Sequence, residues 1–139
     1  MIGVDPARVM RRVATLATLA ALVNRRAAAS VRYLPGTAEA LDLPDCSATV
    51  AWSIATVHHW SGVAQGLDEV RRVLQPGGRF VAIERLSPPG ARGHASHGWT
   101  EQQAAAFAAA CTEHAFTQVR VELHQRGRRR TVSVTATRP

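Results

Sequence analysis

The chain has 139 residues, 46% of them hydrophobic, and a formal net charge of +7. Its length fits one domain, and its apolar fraction is ordinary for a globular core. All 17 basic residues are Arg. Because no aromatic residues alternate with the Arg clusters, we interpret the charge as spread over exposed faces and predict no nucleic-acid site. Cys46 and Cys111 lie in unlike contexts, which predicts reduced thiols in a cytoplasmic protein.

The N-terminal residues 1–6 are typical of the end of a strand that runs into a helix. Asp5 suits the position that caps a helix, and Pro6 suits the first helical position. The helix is predicted to continue to about Val23. One apolar stripe runs along it, formed by Val9, Val13, Leu16, Ala20 and Val23.

The same segment has an alternative interpretation as a targeting signal. Arg11 and Arg12 precede an apolar run, and the Ala residues at 27–29 resemble a cleavage site. The run is too short to span a bilayer. Arg25 and Arg26 directly after it do not fit a signal peptide. We therefore expect neither export nor a membrane segment.

Two predicted strands, at 31–34 and 49–54, flank a polar loop. In the second strand the larger side chains alternate with small ones, and few residues are charged, so we expect it to be covered on both faces as in a parallel sheet. The loop between the strands begins with Gly36-Thr37-Ala38-Glu39. Ligands bind beyond the carboxyl ends of strands in open α/β sheets, so this loop is a candidate binding rim.

The rest of the chain continues the alternation of helices and strands. Glu84 falls near the ligand-facing end of its strand. The predicted elements are a helix capped by Ser61 and ending near Leu74, a tight stop at 75–78, a strand at 79–85, a long loop at 87–98, a helix with a capping box at 100–103, and a hairpin of strands 116–123 and 131–137 joined by 125–130.

Two blocks of this sequence resemble class I S-adenosylmethionine-dependent methyltransferases of the methyltransferase domain 11 type. The first runs from Gly36 through Val50 to His58-His59-Trp60, and the second covers 68–80. The resemblance implies an α/β fold: a Rossmann-like, mostly parallel sheet with helices on both faces and a C-terminal antiparallel hairpin. Residues 1–139 would form a single partial methyltransferase domain. Thr37 replaces the family's usual Asp, and Ala48-Thr49 replaces Phe-Asp.

The resemblance also implies S-adenosylmethionine as cofactor and a set of cofactor-binding residues. Asp5 would hold the ribose hydroxyls, although its role as a helix cap remains an alternative. The Ala38 N–H would donate to an adenine ring nitrogen, and Thr37 or Glu39 would accept from the adenine amino group. Ser53 completes the predicted set.

Histidines supply the candidate catalytic groups. His58 and His59 follow the central strand and are candidates for a general base, with packing and backbone hydrogen bonding as the alternative. His94 and His97 have a spacing that could indicate a metal site. No Cys or acid lies near them, so we predict a solvated loop and no metal site.

The family's first strand and its glycine-rich loop have no counterpart in these 139 residues. In the family's strand order, 3-2-1-4-5-7-6, that strand is central. We therefore expect the chain by itself to bind S-adenosylmethionine weakly, to methylate nothing, and to self-associate through unpaired strand edges.

Two classes of function follow from these observations. The first is an S-adenosylmethionine-dependent methyltransferase, or a fragment of one, that acts on a small-molecule acceptor. The alternative is a catalytically silent methyltransferase-like module that binds a partner protein. A nucleic-acid binder ranks third.

Overall fold

The computed structural model describes residues 1–23, 31–93 and 97–139, and for 18–23 it describes the backbone alone. Arg25, Arg26, the Ala residues at 27–29 and His94 lie outside the described residues. Of the helices that are described, none has the length and apolar character needed to cross a bilayer.

Strands and helices alternate along the described residues, as predicted. In chain order they are β1 (Ile2–Val4), α1 (Arg8–Val23), β2 (Arg32–Leu34), β3 (Ala48–Ile54), a 3-10 turn (Val57–His59), α2 (Val63–Val73), β4 (Leu74–Arg85), α3 (Glu101–Glu113), β5 (Thr117–Arg126) and β6 (Arg129–Thr137). The capping box at the start of α3 is confirmed: the Gln103 N–H donates to the Thr100 hydroxyl, and the Thr100 N–H donates to the Gln103 side chain.

The strands form two sheets. β1 and β2 are parallel to each other, and the larger sheet has the order β3-β4-β6-β5. β3 and β4 are parallel, whereas β6 is antiparallel to both of its neighbours. Within the described chain β1 and β3 do not pair with each other, so each has one unpaired edge. This architecture confirms the predicted Rossmann-like α/β fold with a C-terminal hairpin.

The core lies between the larger sheet and helices α2 and α3. Aromatic rings join these layers: Trp60 lies 6.4 Å from Phe80 and 6.3 Å from Phe107, measured between ring centroids. Cys111 is fully buried in this core, and burial raises the pKa of its thiol to about 12. The thiol is therefore neutral at ordinary pH and behaves as a small apolar side chain.

The prediction that β3 is covered on both faces is wrong for one face. Ser53 is buried and Ala51 packs against the core, but Trp52 is 55% exposed and Ile54 is 59% exposed. The reason is that α2 and α3 both contribute to the core on the Ala51 side. No element among the described residues buries the side of β3 that carries Trp52.

The predicted apolar stripe of α1 forms on a helix but faces solvent. Val9 is 70% exposed, and Val13 and Leu16 are also exposed. α1 packs beside β2, whose partner β1 is only three residues long. Arg11 of α1 also holds the turn that precedes the helix, because its Nη1 donates to the Asp5 carbonyl at 2.5 Å.

Two predicted turns have different boundaries in the structure. Residues 75–78 are not a stop between elements but part of β4, where the pairing with β3 shifts register between Ala48 and Val50. The hairpin connection is shorter than predicted, because β5 extends to Arg126 and β6 begins at Arg129. Gly127, at φ +59°, occupies the left-handed region that such a tight turn needs.

Arg72 holds the loop between β2 and β3 against α2. Its guanidinium donates to the carbonyls of Leu41 and Leu43, and it forms ion pairs with Glu69 and Asp45. The hydrogen bond from Arg72 is the main reason that the pKa of Glu69 lies below its ordinary value. The Arg72 guanidinium thus supplies hydrogen bonds to two carbonyls and a carboxylate of a loop that has little secondary structure of its own.

Glu39, not Ser61, caps the start of α2. Gly62 occupies the N-cap position of α2, but a glycine has no side chain that could accept from the helix N–H groups. The Glu39 Oε1 atom accepts from the N–H groups of Ser61 at 2.6 Å and Gly62 at 3.1 Å. Burial raises the pKa of Glu39, but hydrogen bonds from Gly62, Thr37 and Ser61 outweigh this effect, and the pKa lies below 4.5.

We predict that Gly66→Ala destabilises the protein although it replaces a glycine inside a helix. A Cβ at this position would lie 2.5 Å from Trp60 Cε3. We expect overpacking to cost about 1–3 kcal/mol, more than the gain of up to about 1 kcal/mol in helix propensity. Urea unfolding measures the difference. The exposed neighbour Gln65→Ala is the control and should stay within about 0.5 kcal/mol of the parent. Greater stability of Gly66→Ala would show that Trp60 moves aside.

We predict that Glu39→Gln destabilises the fold at neutral pH but not in acid. The folded carboxyl has a lowered pKa, so its contribution is present above about pH 4.5 and disappears as the pH falls through the folded value. At pH 7 the loss should be about 1 kcal/mol, the scale of a charge-assisted hydrogen bond that is partly exposed. Urea unfolding at pH 7, 5 and 4 measures it, with Glu113→Gln as control. If the difference in unfolding free energy between Glu39→Gln and the parent does not change with pH, the ionised Glu39 carboxylate does not stabilise the start of α2.

Candidate active site

The carboxyl ends of the parallel strands carry most of the predicted site residues. β1 and β2 end side by side, with Val4 opposite Leu34. β3 and β4 run in register up to Ile54 and Ile83. The segments that follow β1, β2 and β3 hold Asp5, residues 36–39 and the histidine pair, and Glu84 is the second-last residue of β4. This rim is where ligands bind in open α/β sheets.

The chain turns sharply at the end of β3. Ala55 has φ +52°, which is uncommon for a residue with a side chain, and its N–H donates to the Ile83 carbonyl at 2.8 Å. The turn leads into the 3-10 segment Val57–His59, in which Val57 is buried. A left-handed non-glycine residue costs about 1–3 kcal/mol and persists only where surrounding contacts hold it.

Glu84 is buried under this turn, where it binds the backbone of the turn and the ring of His58. Only 1% of Glu84 is exposed. Its Oε1 accepts from the Val57 N–H at 2.9 Å, and its Oε2 lies 2.8 Å from His58 Nδ1. A carboxylate is an acceptor, so Nδ1 carries a proton in this contact, and in the neutral imidazole the lone pair is therefore on Nε2. His58 thus has the orientation that a general base requires.

His58 has two further imidazoles beside it. Ring centroids lie 3.9 Å apart for His58 and His59, 5.8 Å for His58 and His97, and 5.9 Å for His59 and His97. His97 precedes Trp99, which is buried and exchanges backbone hydrogen bonds with Arg85 and Ser87. The histidine from the long loop is therefore carried to the rim by a fixed anchor.

Sequence reasoning placed Glu84 near the site but missed its pairing with His58. Phe80, Ala82 and Glu84 share the inward side of β4, and all three are buried. A carboxylate at an inward position of an apolar strand needs a donor partner. The approach of His97 to His58 had no comparable signal in the sequence.

Asp5 caps the turn into α1 with only one of its oxygens. The Ala7 N–H donates to Oδ1 at 2.7 Å, and the Asp5 N–H donates to the Leu34 carbonyl at 3.2 Å. Within the described part of the chain, Oδ2 accepts no hydrogen bond. The cap and a ribose contact can therefore coexist on one carboxylate.

The remaining predicted cofactor residues differ in exposure and in the hydrogen bonds that their side chains already make within the protein. Thr37 is exposed and Ala38 is half-buried, next to the bridge between Thr37 and Ala40. Glu39 is occupied by the start of α2. The Ser53 hydroxyl lies 2.5 Å from that of Thr56. The Thr37 hydroxyl donates to Glu39 but keeps its acceptor lone pairs, so the geometry suits Asp5, Thr37 and Ala38 better than Glu39 and Ser53.

Comparison with known sequences gives consistent matches. The Methyltransferase domain family matches residues 1–82. The uncharacterized methyltransferase YcgJ of Bacillus subtilis is 34% identical over 87 residues, which is 63% of this chain and 32% of that protein. UbiE of Methylobacterium nodulans, a C-methyltransferase of ubiquinone and menaquinone biosynthesis, is 44% identical over 62 residues, 42% of this chain and 23% of that protein. The chain thus spans about a third or less of these relatives' length.

Solved structures share the fold at low sequence identity. YcgJ superposes with a TM-score of 0.65 at 18% identity, and a methyltransferase of Methanosarcina mazei with 0.72 at 18%; each match covers 99% of this chain and 81% of the other. The [4+2]-cyclase SpnF reaches 0.74 at 16% identity, over 99% of this chain and 66% of that protein. The fold by itself therefore does not specify the reaction.

Sequence blocks, strand order and family match lead to the same assignment. The predicted blocks at 36–50 and 68–80 lie within the family match at 1–82. The strand order β3-β4-β6-β5 agrees with the second half of the order that the resemblance implies. The chain belongs to the Methyltransferase domain family.

Proposed function

We propose that this chain is part of an S-adenosylmethionine-dependent methyltransferase whose general base is His58. The observation that supports this proposal is the contact at 2.8 Å between Oε2 of the buried Glu84 and Nδ1 of His58, at the carboxyl end of β4. A carboxylate that fixes one imidazole nitrogen leaves the other available to accept a proton. The unpaired thiols of Cys46 and Cys111 support the cytoplasmic location predicted from the sequence.

The residues of the rim fit the nucleoside half of the cofactor. Asp5 Oδ2 would accept from a ribose hydroxyl while Oδ1 keeps its bond to Ala7. Ala38 would donate its N–H to the adenine ring, and the exposed Thr37 hydroxyl would accept from the amino group. When bound, S-adenosylmethionine supplies an activated methyl group on a sulfonium. Holding it in line with an acceptor accounts for much of the rate in such a displacement.

The protein's own chemistry in this proposal is proton removal from the acceptor. His58 Nε2 takes the proton as the acceptor attacks, and the imidazolium that forms is stabilised by Glu84 across the Nδ1–H bond. The buried carboxylate needs no movement in this step, because the turn at Val57 already holds its other oxygen. His59, which is exposed, would contact the acceptor.

We propose a small-molecule acceptor with an acidic carbon or a hydroxyl group. These are the acceptors for which a base helps, since both must lose a proton. UbiE is by name a C-methyltransferase of quinone biosynthesis, and it is 44% identical to this chain over 62 residues. That local similarity favours a quinol-like acceptor over a macromolecule.

A catalytically silent module that binds a partner protein is the second candidate. It is favoured by the exposed apolar face of β3, which carries Val50, Trp52 and Ile54, and by the unpaired edges of β1 and β3. Unpaired edges are sites of strand addition or self-association. A structural neighbour from Haloferax volcanii, 16% identical, was solved in complex with the Trm112 methyltransferase activator. Among the two candidates, the His58–Glu84 contact favours the enzyme.

We predict weak S-adenosylmethionine binding by the 139-residue chain and tight binding by a chain extended upstream by about 40–50 residues, the size of a strand, loop and helix. Calorimetric titration of both forms measures this. In the extended form Asp5→Asn should weaken binding by about 1–3 kcal/mol, the range for a hydrogen bond to a charged group. Asp42→Asn, an exposed acid outside the proposed site, is the control. Micromolar binding by the short form would contradict the need for the glycine-rich loop.

We predict that Glu84→Gln and His58→Gln lower turnover in the form that binds S-adenosylmethionine. General base catalysis contributes about 10²–10⁴-fold, so losses in this range are expected. Formation of S-adenosylhomocysteine with 1,4-naphthoquinol and catechol as probe acceptors measures it, and His114→Gln is the matched control. Unchanged turnover in both variants would assign His58 a packing role, and no turnover in any form would favour the partner-binding module.

A further inference from the structure

The strongest feature beyond the proposed reaction is a group of three imidazoles at the rim, in which His97 joins the His58 and His59 that the reaction uses. His58, His59 and His97 each offer a ring nitrogen, and these three atoms all lie within 4.8 Å of one another. This approach is not predictable from the sequence, because α2 and β4 separate His97 from the histidine pair along the chain. Two separate loops thus bring their histidines to one point.

The first imidazole has the environment of a metal ligand. Ligating histidines typically donate their second ring nitrogen to a carboxylate or carbonyl, which fixes the ring and raises its basicity. His58 donates Nδ1–H to Glu84 Oε2 at 2.8 Å, and the second Glu84 oxygen is held by the Val57 N–H. The His58 ring is therefore held by a carboxylate that is itself held in place. Its Nε2 is the nitrogen available to bind a metal ion.

The third imidazole is positioned by backbone packing. His97 is followed by Gly98, where a side chain would meet the Arg85 carbonyl, and then by the buried Trp99. Trp99 packs on Phe107 with centroids 4.7 Å apart, and its N–H donates to the Arg85 carbonyl at 2.9 Å. The end of β4, which supplies Glu84, thus also anchors Trp99, two residues after His97.

We propose that His58, His59 and His97 bind one divalent transition-metal ion of the zinc type. Imidazole nitrogens suit Zn²⁺, Co²⁺ and Ni²⁺, whereas Mg²⁺ and Ca²⁺ take oxygen ligands. Tetrahedral zinc with bonds of about 2.0–2.1 Å places its nitrogens about 3.3 Å apart, so each pair of ligand atoms must close in by at most about 1.5 Å. His59 and His97 are both exposed and can make that adjustment by side-chain rotation.

Three protein ligands leave the fourth position of a tetrahedral ion open. Sites of that kind bind water or a substrate oxygen, whereas structural zinc sites use four protein ligands. This inference goes beyond the proposed function, because a metal on Nε2 occupies the lone pair that the base role needs. Metal occupancy and proton removal by His58 are therefore alternatives at one nitrogen, and the binding experiment does not depend on methyl transfer.

The test is a Zn²⁺ titration of the tag-free 139-residue protein in competition with a chromophoric chelator, without S-adenosylmethionine. We expect one Zn²⁺ per chain. His58→Ala, His59→Ala and His97→Ala should each weaken binding at least about tenfold, and Glu84→Gln should weaken it about 10–100-fold, as for other residues that orient a ligand. His114→Ala and His124→Ala, which lie outside the cluster, should match the parent within about twofold.

His97→Ala is the decisive variant, because His97 is exposed and its loss removes none of the contacts of Glu84. Circular dichroism checks that each variant is folded. Tetrahedral Co²⁺ absorption in the parent, lost in His97→Ala, is the expected spectroscopic result. Zn²⁺ binding that is unchanged in His97→Ala, or that falls equally in His114→Ala, overturns the proposal.

Discussion

The parallel pairing of β3 with β4 is the constraint on which the rest of the structure depends. It brings the turn after Ile54 next to the last residues of β4, so the Ala55 N–H meets the Ile83 carbonyl and Glu84 lies beneath Val57. The same strand, β4, pairs with β6 on its other edge and contributes Phe80 to the core. Because β4 contributes at once to sheet, core and rim, the candidate base His58 is held by groups that cannot move without disrupting the sheet.

Much of the fold was predictable because local signals agreed with the global arrangement. Alternation of apolar and polar residues predicted the hairpin strands β5 and β6, the Thr100–Gln103 capping box predicted the start of α3, and the two family blocks implied the sheet. The rim was predictable for the same reason, since Asp5 and Thr37 follow strand ends in the sequence itself. Signals of this kind depend on neighbours along the chain and need no knowledge of packing.

What could not be predicted depends on contacts between distant residues. Ser61 is a good capping residue by type, yet Glu39 occupies that role from 22 positions away. Trp52 and Ile54 have the pattern of a buried strand, but burial depends on whether another element lies over that face. His97 reaches His58 only because Trp99 is anchored to Arg85. Each case is a tertiary contact that local propensity does not encode.

The hydrogen bonds of Glu39 connect the loop at 36–39 to the segment that follows the histidine pair. Glu39 follows Thr37 and Ala38 directly, and its carboxylate holds the N–H of Ser61, two residues beyond His59. The loop proposed to bind the nucleoside and the corner that carries the histidines are therefore joined by one side chain. A ligand that shifts the loop changes the free energy of the corner, and by thermodynamic reciprocity occupancy of the corner changes the affinity of the loop. In the proposed function, cofactor affinity and acceptor affinity would therefore be coupled, and the coupling would pass through the hydrogen bonds of Glu39.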